Sequence, residues 1–359
     1  MKPVNQGQHM SRRHVLQTGA TVTGIAVAGC LGGGGDGSIG YISRGGTTQD
    51  TEREVMEQWS EESGVEIEHQ EVADDTEMIT LIAENPDEFD LTNPAPWGFT
   101  LHELEHDGEL FAPIDFDQIP NYDDIADPWQ NAPFIEGRDY GAFYYISTQG
   151  IGYNTDEIDE ITSWDDIKDD DLDGQLALFD SAPARFGNSC ANLGLDPGEA
   201  AQDDDLLDDV IDEMEEQHQN AFGYWGAGDQ LMQWMREEQA YAACAWGGRI
   251  ENLREDGYPM EYVIPDEGCV TWSTAFTIVE GTDMREEVHD LLNFLYEEEN
   301  AIQLSTGHQY PIPFEDPPEE MTERADYTEH PDDLTWIDWD AILPVQDDLE
   351  LAHDEIKAS

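Results

Sequence analysis

Residues 241–280 read YAACAWGGRIENLREDGYPMEYVIPDEGCVTWSTAFTIVE, and their patterning decides the fold. A short apolar strand over 241–246 meets Gly247-Gly248, where the backbone is free to turn sharply. A brief helix over 249–255, a strand over 260–264 and an apolar run over 270–279 follow. Trp246 and Arg249 therefore fall at a strand-to-helix junction, where ligands of open α/β sheets sit. The stretch 271–279 is longer than a strand within one small lobe needs. It reads either as a strand that passes from one lobe into another, carrying Trp272 across the gap, or as part of a buried βαβ unit with two core tryptophans.

Working outward, strands and helices alternate. Residues 38–43 (SIGYIS) form an opening strand that ends in the tight loop Arg44-Gly45-Gly46. A helix over 49–63 carries Val55, Met56 and Trp59 on one face and stops at Gly64. A strand over 65–72 and a helix near 76–83 lead to Asn93-Pro94-Ala95-Pro96-Trp97. Residues 140–154 are apolar with glycines at both ends, a candidate for a chain crossing. A second-lobe strand over 175–179 ends at Ser181, with Arg185 one turn further on. The spans 203–217 and 284–296 are amphipathic helices, and the tail from Pro317 reads as mostly helical and exposed. This alternation predicts α/β architecture, with parallel sheets flanked by helices.

The N-terminus carries an address. Ser11-Arg12-Arg13 precedes an acid-free apolar run over 19–28, the pattern of a twin-arginine export signal. Val27-Ala28-Gly29-Cys30 is a lipobox in which Cys30 would carry the lipid, and 31–37 (LGGGGDG) is a flexible tether. The folded part is expected on the outer face of the cytoplasmic membrane, bound to it through the lipid alone. Three of the 14 basic residues (Lys2, Arg12, Arg13) lie in the signal, whereas none of the 83 acidic residues does. The formal net charge of −69 excludes ordinary nucleic-acid binding. Such self-repulsion is tolerable where salt shortens the Debye length to about 3 Å at 1 M. The acids are spread along the chain rather than gathered in one tail, so the surface reads as a halophile's.

Among sequence motifs, His102-Glu103-Leu104-Glu105-His106 is a literal H-E-x-x-H, which on a helix sets two imidazoles one turn apart with a glutamate beside them. Glu109 stands where a metzincin would have glycine, and Leu101 and Leu104 read as a buried face. A secreted zinc peptidase using His102 and His106 is thus a competing class. No Ser-His-Asp order, nucleophile elbow, Walker loop or Rossmann fingerprint occurs, and no cofactor is expected. Cys190, Cys244 and Cys269 show no metal spacing and allow at most one disulfide. The aromatics and scarce cations stand out instead: Trp97, Trp246, Trp272 and Tyr310 lie at predicted strand ends or loops with Arg44, Arg185 and Arg249. Each tryptophan alone could be core and each arginine a surface ion pair. Together they describe a cleft for a small organic solute.

The export signal with its lipobox, 145–154 ahead of Ser163-Trp164-Asp165-Asp166, Ala245-Trp246-Gly247-Gly248, the VIPDEG…W stretch of 263–272, the 291–295 helix and 307–311 together resemble the spermidine/putrescine-binding proteins of ABC importers. The likeness covers 38 to about 313. It implies a two-lobed clamshell of the periplasmic-binding-protein type, each lobe a mostly parallel sheet flanked by helices, joined by crossing hinge strands. One lobe would hold 38–149 plus about 275–309 and the other 150–274 plus about 310–359. It further implies a monomer without catalytic turnover that closes on its ligand and docks on permease subunits. Trp246, Trp272 and Tyr310 match aromatics that sandwich a polyamine, and Trp97 falls near another. The family's amine-pairing carboxylates are replaced by Ser181, Ala184 and Thr274. A polyamine is the ligand implied by the resemblance. The residues themselves point to an anionic or carboxylated solute paired with Arg44, Arg185 or Arg249.

Overall fold

The structure is a computed structural model that describes residues 37–359; the signal, Cys30 and the tether up to residue 36 lie outside the described residues. The described chain contains twelve strands: β1 (Ser38–Arg44), β2 (Glu66–Val72), β3 (Leu91–Thr92), β4 (Phe111–Ala112), β5 (Ala142–Tyr145), β6 (Thr148–Asn154), β7 (Leu176–Phe179), β8 (Ala221–Trp225), β9 (Ala242–Trp246), β10 (Met260–Val263), β11 (Val270–Thr271) and β12 (Thr274–Val279). They form two sheets. The first has the order β2-β1-β3-β12-β4, with β5 also paired to β12; the second has the order β10-β6-β9-β7-β8, with β11 paired to β6. Parallel pairs (β1 with β2 and β3, β7 with β8 and β9) form one side of each sheet. The crossing strands add antiparallel pairs: β12 with β3, β4 and β5, and β6 with β9, β10 and β11.

Two short links carry the chain between the sheets. Ile146-Ser147 joins β5 to β6, and Trp272-Ser273 joins β11 to β12. The links lie side by side: Trp272 N–H donates to the Ser147 carbonyl at 2.8 Å, and Thr271 Oγ1 donates to the same oxygen at 3.0 Å. A third segment runs beside them, with Ile146 N–H donating to the Pro311 carbonyl at 2.9 Å. The run 271–279 is therefore two strands in two sheets. Its interruption at Trp272-Ser273 is what places an indole in the gap, and the single βαβ unit is excluded.

Local sequence explains the elements that position the site. The helix Thr47–Ser63 buries Val55, Met56 and Trp59 and ends where Gly64 adopts φ 78°. Asp74 caps the helix Asp75–Glu84 by accepting from Glu77 N–H at 2.9 Å, and Ser181 caps Ala182–Leu193 by accepting from Ala184 N–H at 3.4 Å. Gly247-Gly248 is not a turn before a helix but the first turn of the helix Gly247–Glu255.

The tail differs from expectation. Met321, Asp326, Leu334, Trp339, Ile342, Leu349 and Ile356 are all buried. Its helices are as short as four residues (Glu319–Thr322, Trp339–Ile342), so no amphipathic period is long enough to reveal the inward face among so many acids. Cys190, Cys244 and Cys269 are free thiols in the interior. No helix among the described residues is long and apolar enough to cross a membrane.

Candidate functional site

A cleft of about 560 Å³ opens where the carboxyl ends of both sheets' strands face one another. Arg44 enters it from the end of β1, Tyr145 from the end of β5, Phe179 from the end of β7 and Ser181 from just beyond it, and Trp246 and Arg249 from the junction at the end of β9. Trp272 stands in the crossing link, and Trp97, Tyr310 and Trp339 complete the walls. The aromatic groups are braced. Trp246 packs edge-on against Trp225 at 4.8 Å and against Phe179 at 5.2 Å; Tyr310 stacks on Tyr145 at 5.2 Å and 14°; Trp97 meets Trp339 at 4.8 Å. Trp272 Nε1–H donates to Gln149 Oε1 at 2.9 Å, which fixes the indole's orientation.

The double glycine at the helix start has a steric reason. A Cβ on Gly247 would lie 2.2 Å from Asp326 Oδ2, and one on Gly248 would lie 3.0 Å from the Tyr310 ring. Asp326 is fully buried beneath that turn. Its Oδ1 accepts from Thr148 N–H and Thr148 Oγ1–H, both at 2.6 Å, so it ties the tail to the first residue of β6. Burial pushes its carboxyl up to about 7, although the Thr148 hydrogen bonds oppose the shift.

The two arginines of the cleft differ in their surroundings. Arg44 Nη1 pairs with Asp75, and Nη2 donates to the Asn93 carbonyl at 3.3 Å. Asp75 also accepts from Ala95 N–H at 3.1 Å; burial holds its carboxyl above the ordinary value even with Arg44 beside it. Behind this pair, Glu52 accepts from Tyr41 OH at 2.7 Å and from Asn93 Nδ2 at 2.9 Å, and burial pushes it up to about 7. Arg249 makes no hydrogen bond and no ion pair among the described residues, and its Nε is buried without a partner.

Seven of the nine residues expected from the sequence line this one cleft: Arg44, Trp97, Ser181, Trp246, Arg249, Trp272 and Tyr310. Arg185 does not. It is buried, with Nη1 donating to Tyr224 OH at 2.8 Å and Nη2 to the Met214 carbonyl at 2.6 Å, and burial lowers its pKa. Its place four residues beyond the Ser181 cap turns it to the inner face of the helix rather than toward the strand ends. Thr274 is also corrected: as the first residue of β12 it is fully buried, outside the cleft lining. Sequence reasoning missed Tyr145, Phe179 and Trp339. Phe179 ends a predicted strand and was open to the same argument as Trp246; Tyr145 lay inside the run 140–154, whose break only the structure shows, and Trp339 comes from the tail and had no signal.

His102 and His106 do not form a metal site. His102 is fully buried and stacked on Phe111 at 4.2 Å; its Nδ1 accepts from Leu110 N–H at 3.3 Å, and burial lowers its pKa to about 4. Glu103, the residue a peptidase would need free, is held by Arg138 at 2.7 Å and by Tyr140 OH at 2.7 Å. Among the described residues no group of three or more His, Cys, Asp or Glu is placed to hold a metal.

Relatives share this plan. The chain is 24% identical over 304 residues to the spermidine/putrescine-binding periplasmic protein of Escherichia coli, covering 84% of each. A solved spermidine/putrescine ABC transporter substrate-binding protein from Streptococcus pneumoniae superposes with a TM-score of 0.78 at 22% identity, over 90% of this chain and 100% of that one. The Tp0655 lipoprotein of Treponema pallidum superposes with a TM-score of 0.74 at 15% identity, over 90% of this chain and 100% of its own. Those likenesses show the fold, two sheets flanked by helices around a shared gap. The sequence pattern of the bacterial extracellular solute-binding proteins matches residues 54–332, and this chain belongs to that family.

Proposed function

We propose that the protein is the solute-capturing subunit of an ABC importer. It holds a small organic solute between its two lobes and presents the closed form to permease subunits. The single observation that carries this reading is that Trp246, Trp272 and Tyr310, from three separate parts of the chain, meet in one cleft at the paired crossing links. Residues 38–149 with about 275–309 move as one lobe, and 150–274 with about 310–359 as the other. The ligand's preference for the closed arrangement supplies the free energy of closure. The twin-arginine pattern and lipobox support export of a folded monomer, anchored through Cys30 on the outer face of the cytoplasmic membrane. The acidic surface supports work in concentrated salt.

The relatives are named for spermidine and putrescine, so polyamines are the first solutes to test. The test is thermal unfolding and small-angle scattering of the chain from residue 31 in molar KCl, with and without solute. A bound solute at a hundred times its Kd is expected to stabilise the fold by about 2.7 kcal/mol and to shrink the radius of gyration. Trp272→Ala is expected to abolish both responses. If no small molecule changes either, and native mass spectrometry of freshly purified protein shows none bound, the reading is wrong.

A further inference from the structure

Resting on that reading of the cleft, we infer that the captured solute carries a carboxylate, with Arg249 as its anchor and the indoles of Trp246 and Trp272 against its apolar body. The first ground is the pairing of the basic residues. Arg44, Arg53, Arg138, Lys168, Arg236 and Lys357 hold carboxylates. Arg254 likewise holds the Glu251 carboxylate, and Arg185, Arg285 and Arg324 each have an acceptor: the Met214 carbonyl, the Pro113 carbonyl and Gln309. Arg249 alone among the described Lys and Arg has neither. This occurs in a chain with 83 acidic residues, where a surface partner is cheap to supply. The unpartnered side chain lines the cleft, so a solute is the acceptor that the fold leaves room for.

The second ground is what the cleft lacks. A polyamine needs carboxylates facing it. Asp75 is taken up by Arg44 and Ala95 N–H, and Asp74 caps its helix. Asp326 is sealed beneath Gly247. Ser181 and Thr274 stand where the resemblance would put acids, and Thr274 is buried. The carboxylate of Asp326 already lies against the first turn of the helix Gly247–Glu255, so the guanidinium rather than the helix end is the anchor. Arginine suits the role, since its planar fork matches a carboxylate in two parallel hydrogen bonds.

A matched set of four-carbon probes tests the inference: putrescine with two ammonium ends, 4-aminobutyrate with one ammonium and one carboxylate, and succinate with two carboxylates. Each is titrated calorimetrically into the chain from residue 31 in molar KCl. The expected result is that 4-aminobutyrate or succinate binds at least tenfold tighter than putrescine. Arg249→Gln should raise that Kd roughly ten- to a hundredfold, and Arg249→Lys should fall between. The melting temperature of each unliganded variant checks that it is folded. Tightest binding by putrescine overturns the inference and leaves the importer reading intact. Undiminished carboxylate binding in Arg249→Gln also overturns it, as does silence toward all three probes. The importer reading itself falls only on the native mass spectrometry and scattering described above.

Discussion

Each wall of the cleft contributes an arginine at a strand-to-helix junction. On the wall built from the first sheet, Arg44 is embedded in an arrangement complete within the protein: Asp75 on its guanidinium, Asn93 beside it, and Glu52 and Tyr41 behind. On the opposing wall, Arg249 has room, aromatic neighbours and no acceptor. The contrast teaches how to tell a structural cation from a binding one. A charge whose partners are supplied by the fold stabilises the fold, whereas one left unpaired at a cleft wall is open to a partner from outside.

The largest expected effect comes from breaking the completed wall. Asp75→Ala leaves Arg44 without its counter-ion and Ala95 N–H without its acceptor. It should lower unfolding stability by about 3 kcal/mol, measured by denaturant titration in molar KCl. Arg249→Gln should cost less than about 0.5 kcal/mol, because no hydrogen bond or ion pair is lost. Equal losses in the two variants would erase the distinction.

Next in size is pH dependence, read from one strongly shifted carboxyl behind or beneath each wall. Glu52 behind the first wall and Asp326 beneath the second are both pushed up to about 7 by burial. A folded pKa above the unfolded one means that the folded state holds its proton more tightly. The stabilisation is therefore fully present below about pH 4 and is lost as pH rises through 7. Each group should account for a decline on the order of 3 kcal/mol between pH 4 and pH 8. Glu52→Gln and Asp326→Asn should each flatten the profile by one such share. Parallel profiles in wild type and variants would show that the two carboxyls are not held as the fold places them.

A smaller effect sharpens the same contrast through backbone clearance. Gly247→Ala drives a Cβ to 2.2 Å from Asp326 and should cost about 2 kcal/mol. Gly45→Ala on the opposing wall meets only the Glu71 side chain, nearest at 3.2 Å, and should stay within about 0.5 kcal/mol. Thermal unfolding of the pair in one buffer decides it.

Much of this site was legible because its residues sit at punctuation points. Trp246 precedes a double glycine, Arg44 precedes another, and Trp272 interrupts an apolar run. Each is a place where a strand has to end, and strand ends are where an open sheet meets its ligand. Arg185 was misplaced because a helix rotates its side chains about 100° per residue, and one turn past a cap decides between cleft and interior. Trp339 escaped because the tail's buried positions come from several short elements with no shared period.

The sequence by itself determined the alternation of strands and helices, the aromatic residues at strand ends and the scarcity of cations around them, and it left open whether 271–279 crosses between sheets. Only the tertiary structure decided which cations are spent. Asp75 reaches Arg44 across 31 residues of chain, and Asp326 comes from the tail to lie under Gly247. With acids in nearly every segment, local order holds no information about which one comes within hydrogen-bonding reach. Ion pairing depends on distances of a few ångströms, and those are set when the sheets and the tail pack together.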